Sequence, residues 1–134
     1  MPNEDIKLNF LHVCDYASLS GGKLNILGIF ESISPKDVPY IHPQMYVVTN
    51  VSIKKSGSYK QFIKVIRDGD GQEIIKPFEF GMSISELKTL GEAKIGVVAQ
   101  LNNTKFEVFG SYIIQIFVDL EKIGEIKINI AKRN

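Results

Sequence analysis

The stretch AKIGVVAQL, residues 93–101, alternates apolar side chains with other residues over its whole length. Successive side chains of a β-strand point to opposite faces, whereas the apolar face of a helix needs a spacing of three or four residues. The stretch therefore predicts a strand with one apolar face. That face is made of Ala93, Ile95, Val97, Ala99 and Leu101.

The same period of two recurs along the chain, and turn sequences separate the repeats. Asp68-Gly69-Asp70-Gly71 is typical of a hairpin turn, because Gly adopts a positive φ freely and Asp tolerates it. Pro77 has no backbone N–H to donate, so we expect its strand at a sheet edge or a bulge. The last two strands are joined through residues 121–124. The predicted strands are residues 6–14, 23–33, 45–53, 59–67, 73–80, 93–101, 111–120 and 124–131.

Residues 6–14 and 23–33 are apolar on both faces, as central strands are when they are covered from two sides. Ser20-Gly21-Gly22 predicts a tight turn between them. Ser83 and Glu86 have the spacing of a capping box, so residues 83–90 predict one short helical turn. About eight strands separated by regular turns favour an all-β fold, an antiparallel immunoglobulin-like β-sandwich. A closed barrel is the alternative, because the pattern does not show whether a sheet closes.

Length and composition indicate a single domain covering residues 1–134. The chain is 44% hydrophobic and carries 16 basic and 15 acidic side chains, which leaves a formal net charge of +1. Charges this balanced give no reason to expect nucleic acid or a membrane as a partner. No apolar run reaches the roughly 18 residues of a membrane helix, and the start MPNEDIK does not resemble a signal peptide. A single cysteine forms no internal disulfide, so we expect a cytoplasmic protein.

The reactive side chains form no catalytic or metal-binding motif that the sequence reveals. Cys14 lies in an apolar strand with neither Lys nor Arg beside it, which indicates a core position, and His12 on the same face is typical of a packed neighbour. One cysteine and two histidines are too few for a zinc site. Asp68 opens a segment similar to a calcium loop, but the third early ligand is missing. The twelfth position, Glu79, falls in a predicted strand and not in a loop. We expect a plain turn there and no bound cofactor.

FEVFGSYIIQIFVD, residues 106–119, places a tyrosine shortly after a turn glycine at the start of a strand. Sandwiches of the immunoglobulin kind often carry a tyrosine near the start of the penultimate strand, where its hydroxyl bonds back to nearby backbone. The sequence predicts this role for Tyr112.

Three stretches carry a resemblance to a known family. They are CDYA at 14–17 followed by GKLNILGIF at 22–30, HPQMYVV at 42–48, and residues 106–119 with the hairpin after them. In these stretches the chain resembles a family of small bacterial β-sandwich proteins of unknown function. The resemblance covers nearly the whole chain. It implies the sandwich fold and no established activity, so it carries no catalytic residues over to this chain.

Two functional hypotheses follow. The first is a non-enzymatic binding or assembly module that acts through loop ends or sheet edges, with another protein or a second copy as its partner. Asp15 and Tyr16 close one predicted strand while His42 and Tyr46 open another, so these four residues are the candidate interaction surface. The alternative is a small hydrolase or small-molecule-binding protein with a site near Asp15 and His42. It requires those side chains to converge in a concave pocket.

Overall fold

The computed structural model describes residues 5–85 and 91–134, and these residues form two packed sheets. The four-stranded sheet has the order β2-β1-β4-β7, and the five-stranded sheet has the order β3-β9-β8-β5-β6. All pairs are antiparallel except β3 with β9, which is parallel. The strands are β1 (Ile6–Ser20), β2 (Lys23–Ile29), β3 (Ser32–Ile33), β4 (Tyr40–Ile53), β5 (Gly57–Arg67), β6 (Phe78–Ile84), β7 (Ala93–Phe106), β8 (Gly110–Val118) and β9 (Glu121–Ile130).

This arrangement confirms the predicted antiparallel immunoglobulin-like β-sandwich. The neighbours β5, β8 and β9 correspond to strands C, F and G of the immunoglobulin fold, and β1, β4 and β7 correspond to A, B and E on the other sheet. Nowhere in the described ranges is there a helix long and apolar enough to cross a membrane.

The alternating apolar residues build the core between the two sheets. Burying each large side chain of this kind stabilises the fold by about 1.5–3 kcal/mol relative to leaving it exposed. The stretch that predicted a strand lies within β7, where Val97, Ala99 and Leu101 are buried. The centre of the core combines Val13, Met45, Val47, Ala99 and Leu101 of the four-stranded sheet with Ile63, Val65, Ile114, Ile116 and Ile128 of the five-stranded sheet.

The predicted role of Tyr112 is confirmed. Its ring is fully buried on β8, the penultimate strand, and contacts Phe106 edge-on with 4.9 Å between ring centroids. Its hydroxyl donates to the Val108 carbonyl oxygen at 2.8 Å and accepts from the Val108 N–H at 3.2 Å. The side chain thereby ties the connection before β8 to the core.

Two predicted turns are confirmed as turns. Gly21 and Gly22, with φ of 58° and 74°, join β1 to β2 in the left-handed conformation that a two-residue hairpin favours. In the Asp68–Gly71 turn, the Gln72 N–H donates to Asp70 Oδ1 at 3.0 Å and the Gly71 N–H donates to the Arg67 carbonyl at 2.9 Å. The Asp70 carboxylate therefore stabilises the turn by accepting a backbone hydrogen bond.

The first hairpin differs from the prediction. β1 continues to Ser20, well beyond the predicted end at residue 14, and β2 is an edge strand, so the central position predicted for residues 23–33 is wrong. Two side chains of β2, Leu24 and Ile26, are turned toward the protein and pack on the outer face of the four-stranded sheet. Leu24 reaches Gly96 of β7, where an added Cβ would come within 3.1 Å of it. The hairpin thus bends across its own sheet, and its outward apolar residues stay exposed.

Other strand boundaries also shift. The strand predicted at residues 73–80 begins after Pro77 as β6, which is a sheet edge as expected for a strand beside proline. The last turn is at residues 119–120, where Asp119 has a φ of 53°, and not at 121–124. Ser83 and Ile84 end β6 in place of the predicted helical turn, and its remaining positions at 86–90 lie outside the described residues.

Candidate functional site

The four residues of the predicted interaction surface lie within strands and not at loop ends. Asp15 and Tyr16 belong to β1, which runs past them, and His42 and Tyr46 belong to β4. Neighbours on a strand point to opposite faces, so Asp15 and Tyr16 are separated by the sheet. The structure therefore divides the predicted surface into two pairs.

Tyr16 and Tyr46 form one pair on the outer face of the four-stranded sheet. Their rings meet edge-on with 5.3 Å between centroids, and the Tyr46 hydroxyl accepts from Gln44 Nε2 at 3.4 Å. Tyr46 is buried beside Cys14 and Val48, whereas Tyr16 is 48% exposed. Only Tyr16 of this pair is accessible to a partner.

Cys14 has the core position that its sequence context predicted. It is completely buried, and its thiol lies 3.4 Å from the Tyr16 carbonyl oxygen. Burial is the largest influence on this group and raises the pKa of the Cys14 thiol. A raised pKa keeps the sulfur protonated and unreactive at neutral pH.

His42 lies on the face opposite Tyr46, although alternation from Tyr46 predicts the same face. Along β7 the buried positions are odd-numbered up to Leu101 and even-numbered from Thr104 onward. The alternation shifts at Asn103, which has a φ of 54°. The paired part of β4 shows the same shift in alternation, because Tyr40 packs against the core cluster that also contains Met45, although the two are an odd number of residues apart. Sharing the face of Tyr40, His42 points toward the inner side of the sheet.

Asp15 and His42 form the second pair and line one open cavity of about 280 Å³. Gly28 leaves room for the carboxylate of Asp15: its φ is 71°, and a Cβ added there would overlap Asp15 Oδ2. The cavity also contains residues that the sequence did not identify as site residues, because they come from the end of β2 and the segment after it, where no binding motif marks them. Its lining is Asp15, Gly28, Ile29, Phe30, Ser32, Ile33 and His42.

The imidazole of His42 is held by aromatic neighbours. Nδ1 lies 3.0 Å from the Tyr40 hydroxyl, and the Phe30 ring centroid is 6.0 Å away. Burial lowers the pKa of His42 below its ordinary value, while the charge of Asp15 and a backbone hydrogen bond with Gln44 act in the opposite direction. The neutral imidazole is therefore the favoured form near neutral pH.

This coupling predicts the effect of Asp15→Asn. Because the carboxylate favours the protonated imidazole, its removal is expected to lower the pKa of His42 further. The measurement is an NMR titration of the His42 ring protons in both proteins. Asp68→Asn is the control, since that carboxylate pairs with Lys127 on the five-stranded sheet. An unchanged His42 pKa in Asp15→Asn would show that the two groups are not coupled.

The cavity holds an acid, an imidazole and a hydroxyl, but they do not form a catalytic triad. Among the described residues no hydrogen bond joins Asp15, Ser32 and His42, and Nδ1 is already paired with Tyr40. A hydroxyl nucleophile needs a base within hydrogen-bond reach. No three His, Cys, Asp or Glu side chains within residues 5–85 and 91–134 are grouped so that they would hold a metal ion. The arrangement suits binding of a small polar group.

The free edge of β2 borders this cavity. Among the described residues β2 pairs only with β1, and Leu27 and Ile29 are 62% and 54% exposed. Tyr16 lies directly across from Leu27 on β1. We call Tyr16, Leu27 and Ile29 the edge patch. Ile29 also lines the cavity, so the two features are continuous.

Solved structures that match this chain include the following two. The alkylpurine DNA glycosylase AlkC of Pseudomonas fluorescens, bound to DNA containing an abasic site analog, matches over 95% of this chain with a TM-score of 0.58 and 9% identity. This chain corresponds to 30% of that protein's chain. An immunoglobulin-like protein of Pseudomonas aeruginosa, PA1606, matches over 93% of this chain and 95% of its own, with a TM-score of 0.44 and 13% identity. At 9% identity, the similarity to AlkC shows a shared fold alone.

No curated protein matches the chain in sequence. A family model does match, and it covers residues 9–131, which include both sheets and the cavity. The chain therefore belongs to DUF6941, a family of unknown function.

Proposed function

We propose that this protein is a non-enzymatic binding module that holds an extended segment of a partner protein along the free edge of β2. The observation that carries the proposal is the edge patch itself. Within residues 5–85 and 91–134 no strand pairs with the outward backbone N–H and C=O groups of β2, and these groups lie beside exposed apolar side chains. This is the surface used when a peptide adds a strand to a sheet.

Proteins normally protect their sheet edges, and the other three edges of the described sandwich carry such protection. β7, the other edge of the four-stranded sheet, carries two lysines. Pro77 stands directly before β6, and Glu79 on that strand pairs with Lys60 at 3.2 Å. β3 has only two residues, too few to serve as a template. β2 has seven residues, no proline and no acidic side chain, and Lys23 at its start is its one charge. An edge without these devices is expected to pair with another chain.

The chemistry of the edge defines the partner. An added strand would place alternate side chains beside Leu27 and Ile29, which share one face of β2, so a segment with apolar residues at every second position fits best. A second copy is less suited, because two seven-residue edges bury much less than the roughly 800 Å² per partner of a standard stable interface. A flexible segment can extend beyond the edge and cover the neighbouring cavity.

Leu27→Lys tests the proposal. We expect the variant to fold normally and to lose its partner, because a charge replaces the apolar contact at the centre of the edge patch. The measurement is quantitative affinity capture from the native host lysate, followed by hydrogen exchange of the captured complex. Recovery of the partner should fall at least about tenfold, the equivalent of 1.4 kcal/mol. The amides of residues 23–29 should be protected in the wild-type complex only.

Leu120→Lys is the matched control. Leu120 is 99% exposed, but it lies in the β8–β9 turn on the other sheet. The same charge placed there should leave capture unchanged. Equal recovery with Leu27→Lys and wild type would overturn the proposal. A concentration-dependent dimer in sedimentation that Leu27→Lys dissociates would instead assign the edge to a second copy.

Binding of a small molecule in the cavity is the second candidate, and the convergence of Asp15, Ser32 and His42 favours it. The three groups supply a negative charge, a hydroxyl and an imidazole within one small volume. We favour binding over hydrolysis, because the imidazole has no hydrogen bond to a nucleophile among the described residues. We also propose a cytoplasmic location, since the single cysteine is free and buried, as is usual in a reducing compartment.

A further inference from the structure

We propose that Lys7, Ser52 and Lys94 bind a phosphate group in a polar cleft on the outer face of the four-stranded sheet. The cleft lies at the end of β1 opposite the β1–β2 hairpin and is separate from the edge patch. Its volume is about 270 Å³. It is lined by Asp5, Lys7, Asn9, Ser52, Lys54, Glu92 and Lys94.

Strand register places the three binding residues in one row. Lys7 of β1 is opposite Ser52 of β4, and Ser52 is opposite Lys94 of β7. Val51 and Ile53 face the core on either side of Ser52, so the row faces outward. With neighbouring strands about 4.8 Å apart, the two lysine backbones are about 10 Å apart. Their side chains are long enough to converge on one anion above the serine.

A β-bulge completes the site. The register of β1 and β4 shifts between Leu8 and Phe10, which makes Asn9 the extra residue. Its Nδ2 donates to Ser52 Oγ at 2.7 Å and to Asn50 Oδ1 at 2.7 Å. Because Ser52 Oγ accepts this bond, its hydroxyl hydrogen is available as a donor. Bulges often re-aim a side chain beside a functional site, and this one orients the serine.

The charges of the cleft favour a single phosphate group. Lys7, Lys54 and Lys94 make no ion pair with any described residue, whereas Lys60, Lys122 and Lys127 on the other sheet each pair with a carboxylate. Three ammonium groups and a hydroxyl supply charge-assisted donors for an oxyanion. The carboxylates of Asp5 and Glu92 lie in the same cleft and disfavour a long polyanion. The ligand class is therefore a small phosphate-bearing molecule or phosphate itself.

The test is a titration of the full chain with inorganic phosphate, in which amide NMR shifts are recorded at each step. Chloride keeps the ionic strength constant. We expect saturable shifts confined to residues around Lys7, Asn9, Ser52 and Lys94. Lys7→Gln and Lys94→Gln should each weaken affinity about tenfold, because each removes one charge-assisted contact. Ser52→Ala should also weaken binding, and its amide spectrum shows whether the sheet is intact.

Lys60→Gln is the matched control, since it removes an equal charge from the five-stranded sheet. Its phosphate affinity should equal that of the wild type. Shifts that do not saturate, or that spread over both sheets, would overturn the proposal. Unchanged affinity in Lys7→Gln and Lys94→Gln would overturn it as well.

Discussion

Thr49→Val is expected to lower the free energy of unfolding by about 1–3 kcal/mol, because it leaves a buried acceptor without its donor. Thr49 Oγ1 of β4 donates to Gln61 Oε1 of β5 at 2.7 Å, and both residues are completely buried. The bond joins the two sheets through the core. Valine has nearly the shape of threonine, so the loss reports the hydrogen bond and not a cavity. Urea denaturation of both proteins measures it.

Thr104→Val is the matched control for this change. Thr104 is 2% exposed, and its hydroxyl oxygen has no hydrogen-bond partner among the described residues. Removing an unsatisfied buried hydroxyl should leave stability unchanged or raise it. Adding Gln61→Met to Thr49→Val should restore much of the loss, since both polar partners are then replaced. Equal losses in Thr49→Val and Thr104→Val would contradict the assigned role of the inter-sheet bond.

Tyr112→Phe is expected to cost about 1–2 kcal/mol of unfolding free energy. The change removes one donor and one acceptor that serve the Val108 backbone, while the buried ring and its contact with Phe106 are retained. The released Val108 groups then depend on water for hydrogen bonds. The denaturation midpoint should fall with an unchanged slope, because the surface exposed on unfolding stays the same.

Tyr59→Phe provides the comparison. The Tyr59 hydroxyl donates to the Lys55 carbonyl at 2.7 Å, but this bond is exposed to solvent. Water replaces an exposed partner readily, so we expect a loss below about 0.5 kcal/mol. If Tyr112→Phe were as mild as Tyr59→Phe, the hydroxyl of Tyr112 would not anchor the connection before β8.

The class of fold followed from local pattern. The alternation in residues 93–101 and the turn glycines at 21 and 22 predicted elements that the structure contains. Tyr112 was identified from its position after a turn glycine at the start of a strand. These signals are local, since side-chain direction in a strand and φ in a turn depend on neighbouring residues.

The candidate sites were predicted less completely. Asp15 and His42 were expected together and do line one cavity, but alternation alone places His42 on the face of Tyr46. The change of face coincides with the positive φ of Asn103 in the adjacent strand, about sixty residues away in sequence. The exposed edge was also missed, because apolar residues at 23–33 resemble those of a covered strand. Apolar pattern does not distinguish burial in the core from exposure for binding.

The all-β class, the place of most strands and turns, and the anchoring role of Tyr112 follow from the sequence, which favoured a sandwich and left a closed barrel open. Packing between distant parts of the chain was needed to show that β2 is a sheet edge in the described structure, that Asp15 and His42 line one cavity, and that Lys7, Ser52 and Lys94 form one row. Strand neighbours and register are set by contacts between residues distant in sequence and by irregularities such as the bulge at Asn9. A local pattern does not contain that information, and each proposed site depends on it.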